Sequence, residues 1–213
     1  MSIEQLDYAG CAFPVEGLGP GRRVAMWVRG CLRHCAGCIA PELRQPGEPV
    51  AIAQVIDELL PLLAQADGLT ISGGEPFDQA EALVILIDAL REHNDYEVLI
   101  YTGYLREEIE QAGGAGVELL QRIDILIDGP FIESMADDLQ WRGSDNQRIH
   151  LLSARVARYT DAVDLPWPEG RPLQIQMLSP TRYRIIGIPR RGDLEAYRAA
   201  MSARGFQIEQ EHE

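Results

Sequence analysis

Apolar and polar positions in this chain switch between a period near two and a period near 3.6, and the switches outline its elements. Residues 24–29 (VAMWVR) are β-branched and apolar enough for a buried strand. Over residues 50–65 the apolar positions fall at helical spacing (Ile52, Val55, Ile56, Leu59, Leu60, Leu63), and Pro61 inside that pattern predicts a kink or a break. Residues 68–72 (GLTIS) form a short strand that runs into Gly73-Gly74-Glu75-Pro76. Asp78 is placed to cap a helix over residues 79–93, whose face is Leu83, Ile87 and Leu90. A strand at 96–101 (YEVLIY), a short helix at 105–111, a glycine break, a turn at 117–122 and a strand at 123–128 (IDILID) follow. Residues 1–23 read as a lead-in strand or loop that ends in a Gly/Pro cluster at 17–21.

Strands alternating with helices predict an α/β fold of right-handed βαβ units around a parallel sheet. Chemistry in such a fold belongs at the C-terminal ends of the strands. The unusual loops fall at those ends: the cysteines after the first strand, GGEP after the second, TGY after the third and DGPF after the fourth. Past Ile149 the pattern changes. Strands at 173–177 and 183–188 joined by Ser179-Pro180-Thr181, a helix at 193–204 and a last strand at 206–208 predict a small α+β (ββαβ) C-terminal extension. The division expected is a core over residues 1–152 and an extension over 153–213.

Charge narrows the partners. The formal net charge is −14, and all 19 basic residues are arginine. An acidic surface repels phosphate backbones, which argues against nucleic acid. With no lysine, a Schiff base and a Walker-type phosphate lysine are excluded. No apolar run has the length of a membrane span, and residues 1–10 lack a signal-peptide pattern, so no membrane partner and a cytoplasmic location are expected.

Three of the four cysteines lie within eight residues, as Cys31-x3-Cys35-x2-Cys38, and Cys11 stands alone. A structural zinc site takes four ligands, usually as two separated pairs, and no second pair exists here. A three-cysteine loop instead serves three irons of a cubane cluster and leaves the fourth iron open. Gly30 and Gly37 let the backbone fold tightly around a large inorganic group. Spacing alone leaves other readings in place: small core residues, a zinc-stabilised interaction domain, or an iron–sulfur electron carrier closed by remote Cys11. Cys11 itself reads most simply as a small buried residue.

CxxxCxxC followed by GGEP on the next strand resembles the radical S-adenosylmethionine superfamily. GPGRRVAMWVRGC (19–31), SGGEPF (72–77), YTGY (101–104), DGPF (128–131) and WRGSDNQ (141–147) are similar to the anaerobic ribonucleotide reductase activating proteins and, more distantly, to the pyruvate formate-lyase activating enzymes. The resemblance implies a 4Fe-4S cluster on Cys31, Cys35 and Cys38, with S-adenosylmethionine on the open iron. It places Gly73, Gly74 and Glu75 at the methionine amino group, and Gly37, Cys38 and Ile39 beside the adenine. Thr102 and Asp128 are candidates for the ribose, the methionine carboxylate or a monovalent cation, and Arg142 for the carboxylate. Local readings stand beside these: GGEP as a strand-to-helix turn, Asp128 as a helix cap, and Ser144, Asn146 and Gln147 as a polar turn that satisfies its own backbone. His150 is read as packed.

A full eight-stranded barrel takes roughly 200 residues or more. The core at 20–150 is shorter, so a partial, open (β/α) TIM-like barrel is expected, with a cleft suited to a protein or peptide substrate. The resemblance implies that the substrate is a glycine of a glycyl-radical enzyme, with modification of another peptide as the alternative. Arg22, Arg23, Arg29 and Arg33 are candidates to dock an acidic flavodoxin or ferredoxin as electron donor.

Overall fold

The computed structural model describes residues 4–168, 170–180, 183–190 and 192–205. In chain order the elements are β1 (Gln5–Leu6), β2 (Tyr8–Val15), β3 (Arg23–Val28), β4 (Val50–Ala51), α1 (Ile52–Leu63), β5 (Gly68–Gly73), α2 (Ala80–Arg91) and β6 (Glu97–Tyr101). Then come α3 (Arg106–Ala112), α4 (Ala115–Leu120), β7 (Ile125–Asp128), β8 (Arg148–Leu151), β9 (Gln174–Met177), β10 (Tyr183–Ile186) and α5 (Asp193–Ser202). A main sheet of six strands runs in the order β2-β3-β5-β6-β7-β8. Its four central strands are parallel, because helices connect each to the next, and β2 and β8 close the two edges antiparallel. The fold is α/β with a parallel-containing sheet, as the alternation predicts.

Register explains where the core sits. Met26, Ile71, Ile100 and Leu126 form one row across the central strands, each without solvent exposure. That row faces α1, α2 and α4, whose Val55, Leu59, Leu83, Leu86, Ile87 and Leu119 complete the main core. The neighbouring row, Ala25, Thr70, Leu99 and Ile125, faces the other way and is also buried. Its cover comes from beyond the βαβ units: Val156, Tyr159, Ala162 and Trp167 lie against Leu99, Ile125 and Ile127, and Ile186 lies against Ala12, Val15 and Ala25.

Four local expectations differ from the structure. Pro61 does not break α1. It falls in the last turn, where its ring removes one amide just before the helix ends at Leu63. The turn at 117–122 is the helix α4, which buries Leu119. Asp78 does not cap α2. Pro76 opens a 3₁₀ turn over Pro76–Gln79, and the Glu75 side chain caps it by accepting from the Phe77 amide at 3.1 Å. Residues Ala154–Ala162 form a 3₁₀ helix that the apolar spacing did not signal. The hairpin β9–β10 and α5 match the expected extension, while the strand at 206–208 and Thr181 lie outside the described residues.

Arg23 is the largest fully buried side chain of the sheet. Its Nε donates to Thr70 Oγ1 at 2.7 Å, and its terminal nitrogens donate to the carbonyls of Pro20 (3.2 Å), Leu69 (2.8 Å) and Glu97 (3.1 Å). The Glu97 carboxylate stands 3.8 Å away and also meets Arg158. Removing one partner from such a cluster leaves a buried charge uncompensated and costs about 3–5 kcal/mol. Arg23→Ala is therefore expected to lower the melting temperature by roughly 10 °C. A thermal scan with a change of only a degree or two would show that Arg23 does not hold the sheet together.

Candidate metal and cofactor site

The cysteine loop leaves β3 and is folded back on itself by backbone bonds. The amide of Gly30 donates to the Leu43 carbonyl and that of Cys31 to the Arg44 carbonyl, both at 2.9 Å. Arg44 then reaches forward, its guanidinium donating to the Cys35 carbonyl at 2.7 Å. Gly30 and Gly37 take positive φ values of 83° and 72°, conformations open to glycine, which the loop uses to turn. Asp7 holds the far side by accepting from the Gly47 amide at 3.0 Å, and Gln79 donates to the Arg29 carbonyl at 2.9 Å.

Cys31, Cys35 and Cys38 are unpaired and half-buried. Among the described residues, no three Cys, His, Asp or Glu side chains converge on a single ion. Cys11 lies on β2 with its Sγ 3.3 Å from Glu58 on α1, packed with Tyr8 against the helix-covered core. It is thus directed at α1 and supplies no fourth ligand to the loop. Three thiols on one glycine-hinged loop fit a cluster, whose several irons spread their ligands apart, better than one tetrahedral zinc.

GGEP is pressed against the entrance of this loop. The amide of Gly74 donates to the Val28 carbonyl and that of Glu75 to the Gly30 carbonyl, both at 2.7 Å. A Cβ at position 73 would stand 2.3 Å from the Val28 oxygen, and one at position 74 would stand 2.2 Å from the Gly30 oxygen. Both positions are closed to any other residue. Glu75 is buried, and its carboxylate accepts from Thr102 Oγ1 (2.6 Å), the Gly103 amide (2.8 Å) and the Phe77 amide (3.1 Å). Burial outweighs these three donors and raises its pKa from 4.5 to about 7. Thr102 therefore sits at the site as the link between GGEP and TGY. Tyr104 completes that link by donating to Asp78 at 2.8 Å.

The remaining sequence candidates are placed differently. Asp128 has no solvent exposure; it accepts from the Arg106 amide at the start of α3 (2.7 Å) and from both Arg148 Nε (3.0 Å) and an Arg148 terminal nitrogen. Burial opposes ionisation there, yet Arg148 and the α3 amide hold its pKa below the usual carboxylate range. His150 Nε2 lies 3.2 Å from Asp128 without hydrogen-bond geometry. Arg142 is buried among acids, with contacts to Asp137 (3.0 Å), Asp145 (2.9 Å) and Asp164 (3.4 Å). Gln147 accepts from the Gly143 amide at 2.8 Å and donates to the Gly129 carbonyl, while Asn146 donates to the Pro130 carbonyl. WRGSDNQ and DGPF are thus two sides of one braced loop. Gly37 abuts Glu133 of that region, and Ile39 is exposed.

Nor do the four arginines near the cysteines form one docking patch. Arg23 is buried at the start of β3, and Arg22 stacks on Phe13 beside Asp67. The six-residue β3 separates both from the cysteines by about 20 Å. Arg33 is tied to Glu108 and Tyr104. The sequence marked Tyr104 by its loop and Arg33 by its charge, but gave no sign that Asp78 would pair with Tyr104 or that Arg33 would stack on it.

A family model described as a 4Fe-4S single cluster domain matches residues 17–150; the chain belongs to this family and is an oxidoreductase of the radical S-adenosylmethionine, activating-enzyme type. Its particular likeness is to anaerobic ribonucleoside-triphosphate reductase-activating proteins. That of Vibrio cholerae serotype O1 is 34% identical over 148 residues, covering 65% of this chain and 94% of the relative. That of Haemophilus influenzae is 36% identical over 141 residues (62% and 89%), and that of Escherichia coli K12 is 30% identical over 150 (66% and 96%). No helix among the described residues is long and apolar enough to cross a membrane.

The raised pKa of Glu75 has a stability signature. A group that binds its proton more tightly when folded contributes stability that is full below its unfolded pKa and is lost as pH rises through the folded value. Between pH 4.5 and 7 the folded protein is expected to lose on the order of 3 kcal/mol relative to Glu75→Gln, which has no proton to release. Urea unfolding of both proteins across that window, under reducing conditions, checks it. Parallel curves would mean that the Glu75 carboxyl is already ionised at the low end.

Proposed function

We propose that this protein binds a 4Fe-4S cluster on Cys31, Cys35 and Cys38 and S-adenosylmethionine beside it, to make a radical on a partner protein. Held there and reduced by one electron, the pair would supply cleavage of S-adenosylmethionine to methionine and a 5′-deoxyadenosyl radical able to take a hydrogen atom from a glycine of the partner. The observation that carries this reading is the joining of the cysteine loop to GGEP through the Gly74–Val28 and Glu75–Gly30 backbone bonds. It ties the start of the loop that carries the three cysteines to the segment that carries the buried Glu75 carboxylate, which supports the reading. The names of the relatives support an anaerobic ribonucleotide reductase as the protein substrate.

Each part of the chain has a task in that reading. The three thiols hold the cluster, and Gly73 and Gly74 let the main chain approach the methionine amino group. Glu75 offers that ammonium a carboxylate, and Thr102 and the Gly103 amide keep it aimed. Gly37, Cys38 and Ile39 flank the adenine. Thr102, Asp128 and Arg142 serve by holding loops, since their polar atoms are engaged by protein partners. We take the open sheet as the partial barrel of this enzyme class, the electron donor as a flavodoxin or ferredoxin, and the location as cytoplasmic. A second reading, modification of a different peptide, is favoured by one observation: Val156, Tyr159, Ala162, Trp167 and Ile186, from beyond the core, cover the sheet face opposite the helices.

Anaerobically reconstituted protein, incubated with an anaerobic ribonucleotide reductase, S-adenosylmethionine and dithionite, is expected to form 5′-deoxyadenosine and a glycyl doublet in electron paramagnetic resonance. Cys31→Ser, Cys35→Ser and Cys38→Ser are each expected to abolish both products. 5′-Deoxyadenosine without the doublet would select the second reading. Absence of both from iron-loaded protein would end the proposal.

A further inference from the structure

Arg33 lies between two of the cluster cysteines, and one of its donors has no partner. A terminal nitrogen pairs with Glu108 at 3.2 Å, and the guanidinium stacks over the Tyr104 ring at 4.1 Å. Those contacts fix its plane. Nε, by contrast, is buried and makes no hydrogen bond. A buried donor left unsatisfied carries a desolvation cost and calls for a ligand that the protein alone does not supply.

The position of that donor is informative. A Cβ at Gly103 would stand 2.4 Å from Arg33 Cδ, 3.1 Å from its Nε and 3.4 Å from Glu75 Oε2. An unpartnered cationic donor and a buried carboxylate therefore flank the same point beside the TGY loop, and glycine is required there because the Arg33 stem packs against the backbone. Opposite charges at that spacing match a zwitterion: an α-amino acid, with its ammonium toward Glu75 and its carboxylate toward the guanidinium. Arg142, the carboxylate partner expected from the sequence, is instead occupied by three acids. Glu108 does not compete strongly, because it is half-exposed and a solvent-exposed ion pair contributes little.

We infer that Arg33 binds the carboxylate at the amino-acid end of S-adenosylmethionine, opposite Glu75; this assignment rests on the function proposed above. The test is a comparison of two ligands in three iron-loaded proteins. Dissociation constants for S-adenosylmethionine and for its decarboxylated analogue are measured by anaerobic calorimetry with the parent, Arg33→Gln and Arg33→Lys. The parent is expected to prefer the carboxylate-bearing ligand, and Arg33→Gln to reduce that preference roughly tenfold, the size of one charge-assisted hydrogen bond. Arg33→Lys, which keeps the charge without the fork, is expected to fall between them.

An unchanged preference in Arg33→Gln, including equal weakening of both ligands, would overturn the assignment and leave Arg33 a loop tie. If Arg33→Gln fails to hold iron, the same comparison in Arg33→Lys decides, and an unchanged preference there overturns it equally. A parent that binds neither ligand would remove the proposed function and this assignment with it. A parent that binds both, with the preference intact in the variants, would remove this assignment alone.

Discussion

Two backbone hydrogen bonds, from Gly74 to Val28 and from Glu75 to Gly30, continue the pairing of β3 and β5 past its last registered pair, Val28 with Gly73, and into the loops beyond. Much of the site follows from this extension. Two backbones so close leave no space for a Cβ, which fixes Gly73 and Gly74. The chain is then carried inward, so Glu75 arrives where water does not reach and must find donors in protein. It finds them in Thr102 and the Gly103 amide just past the end of β6, and the third loop is drawn in. The cysteine loop begins one residue after Gly30. Its first thiol is therefore placed by the same pairing that places the carboxylate.

The central strands were legible because parallel strands buried on both faces read as continuous apolar runs, and 24–28, 68–72, 97–101 and 125–128 are such runs. The rim was legible because its loops interrupt those runs with Gly, Cys and Pro. What escaped depends on choices between near equals. Glu75 and Asp78 are both suited to cap a helix, and only the 3₁₀ turn opened by Pro76 gives the cap to Glu75 and frees Asp78 for Tyr104. Arg22-Arg23 reads as a surface doublet, although strand parity puts Arg23 on the same side as Ala25 and Trp27. Counting by twos from Trp27 would have found it. Arg33 gave no periodic signal at all, since its place is set by the fold of a loop.

Arginine alone carries the positive charge of this acidic chain, and the structure uses it as a connector. Arg148 joins Asp128 to Glu107, Arg155 joins Asp124 to Asp95, and Arg190 meets Asp138 across the chain. A planar fork with several donors can bridge two acids at once, which a point-charge ammonium does less well. Because these ties join loops to strands, the acidic excess is partly consumed in holding the second face and the rim in place. The local net charge near the cysteines therefore does not follow from counting nearby arginines.

The cover on the second face bears on how a macromolecule reaches the site. The row Ala25, Thr70, Leu99 and Ile125 has essentially no exposure, so a partner does not approach through the middle of that face. One step toward the strand ends, Trp27, Ser72 and Tyr101 are only partly buried. A sheet with apolar residues on both sides had to be covered on both, and the βαβ helices supply only one side. Val156, Tyr159, Ala162, Trp167 and Ile186 provide the other cover, and Arg184 stacks on Trp27 at 4.8 Å.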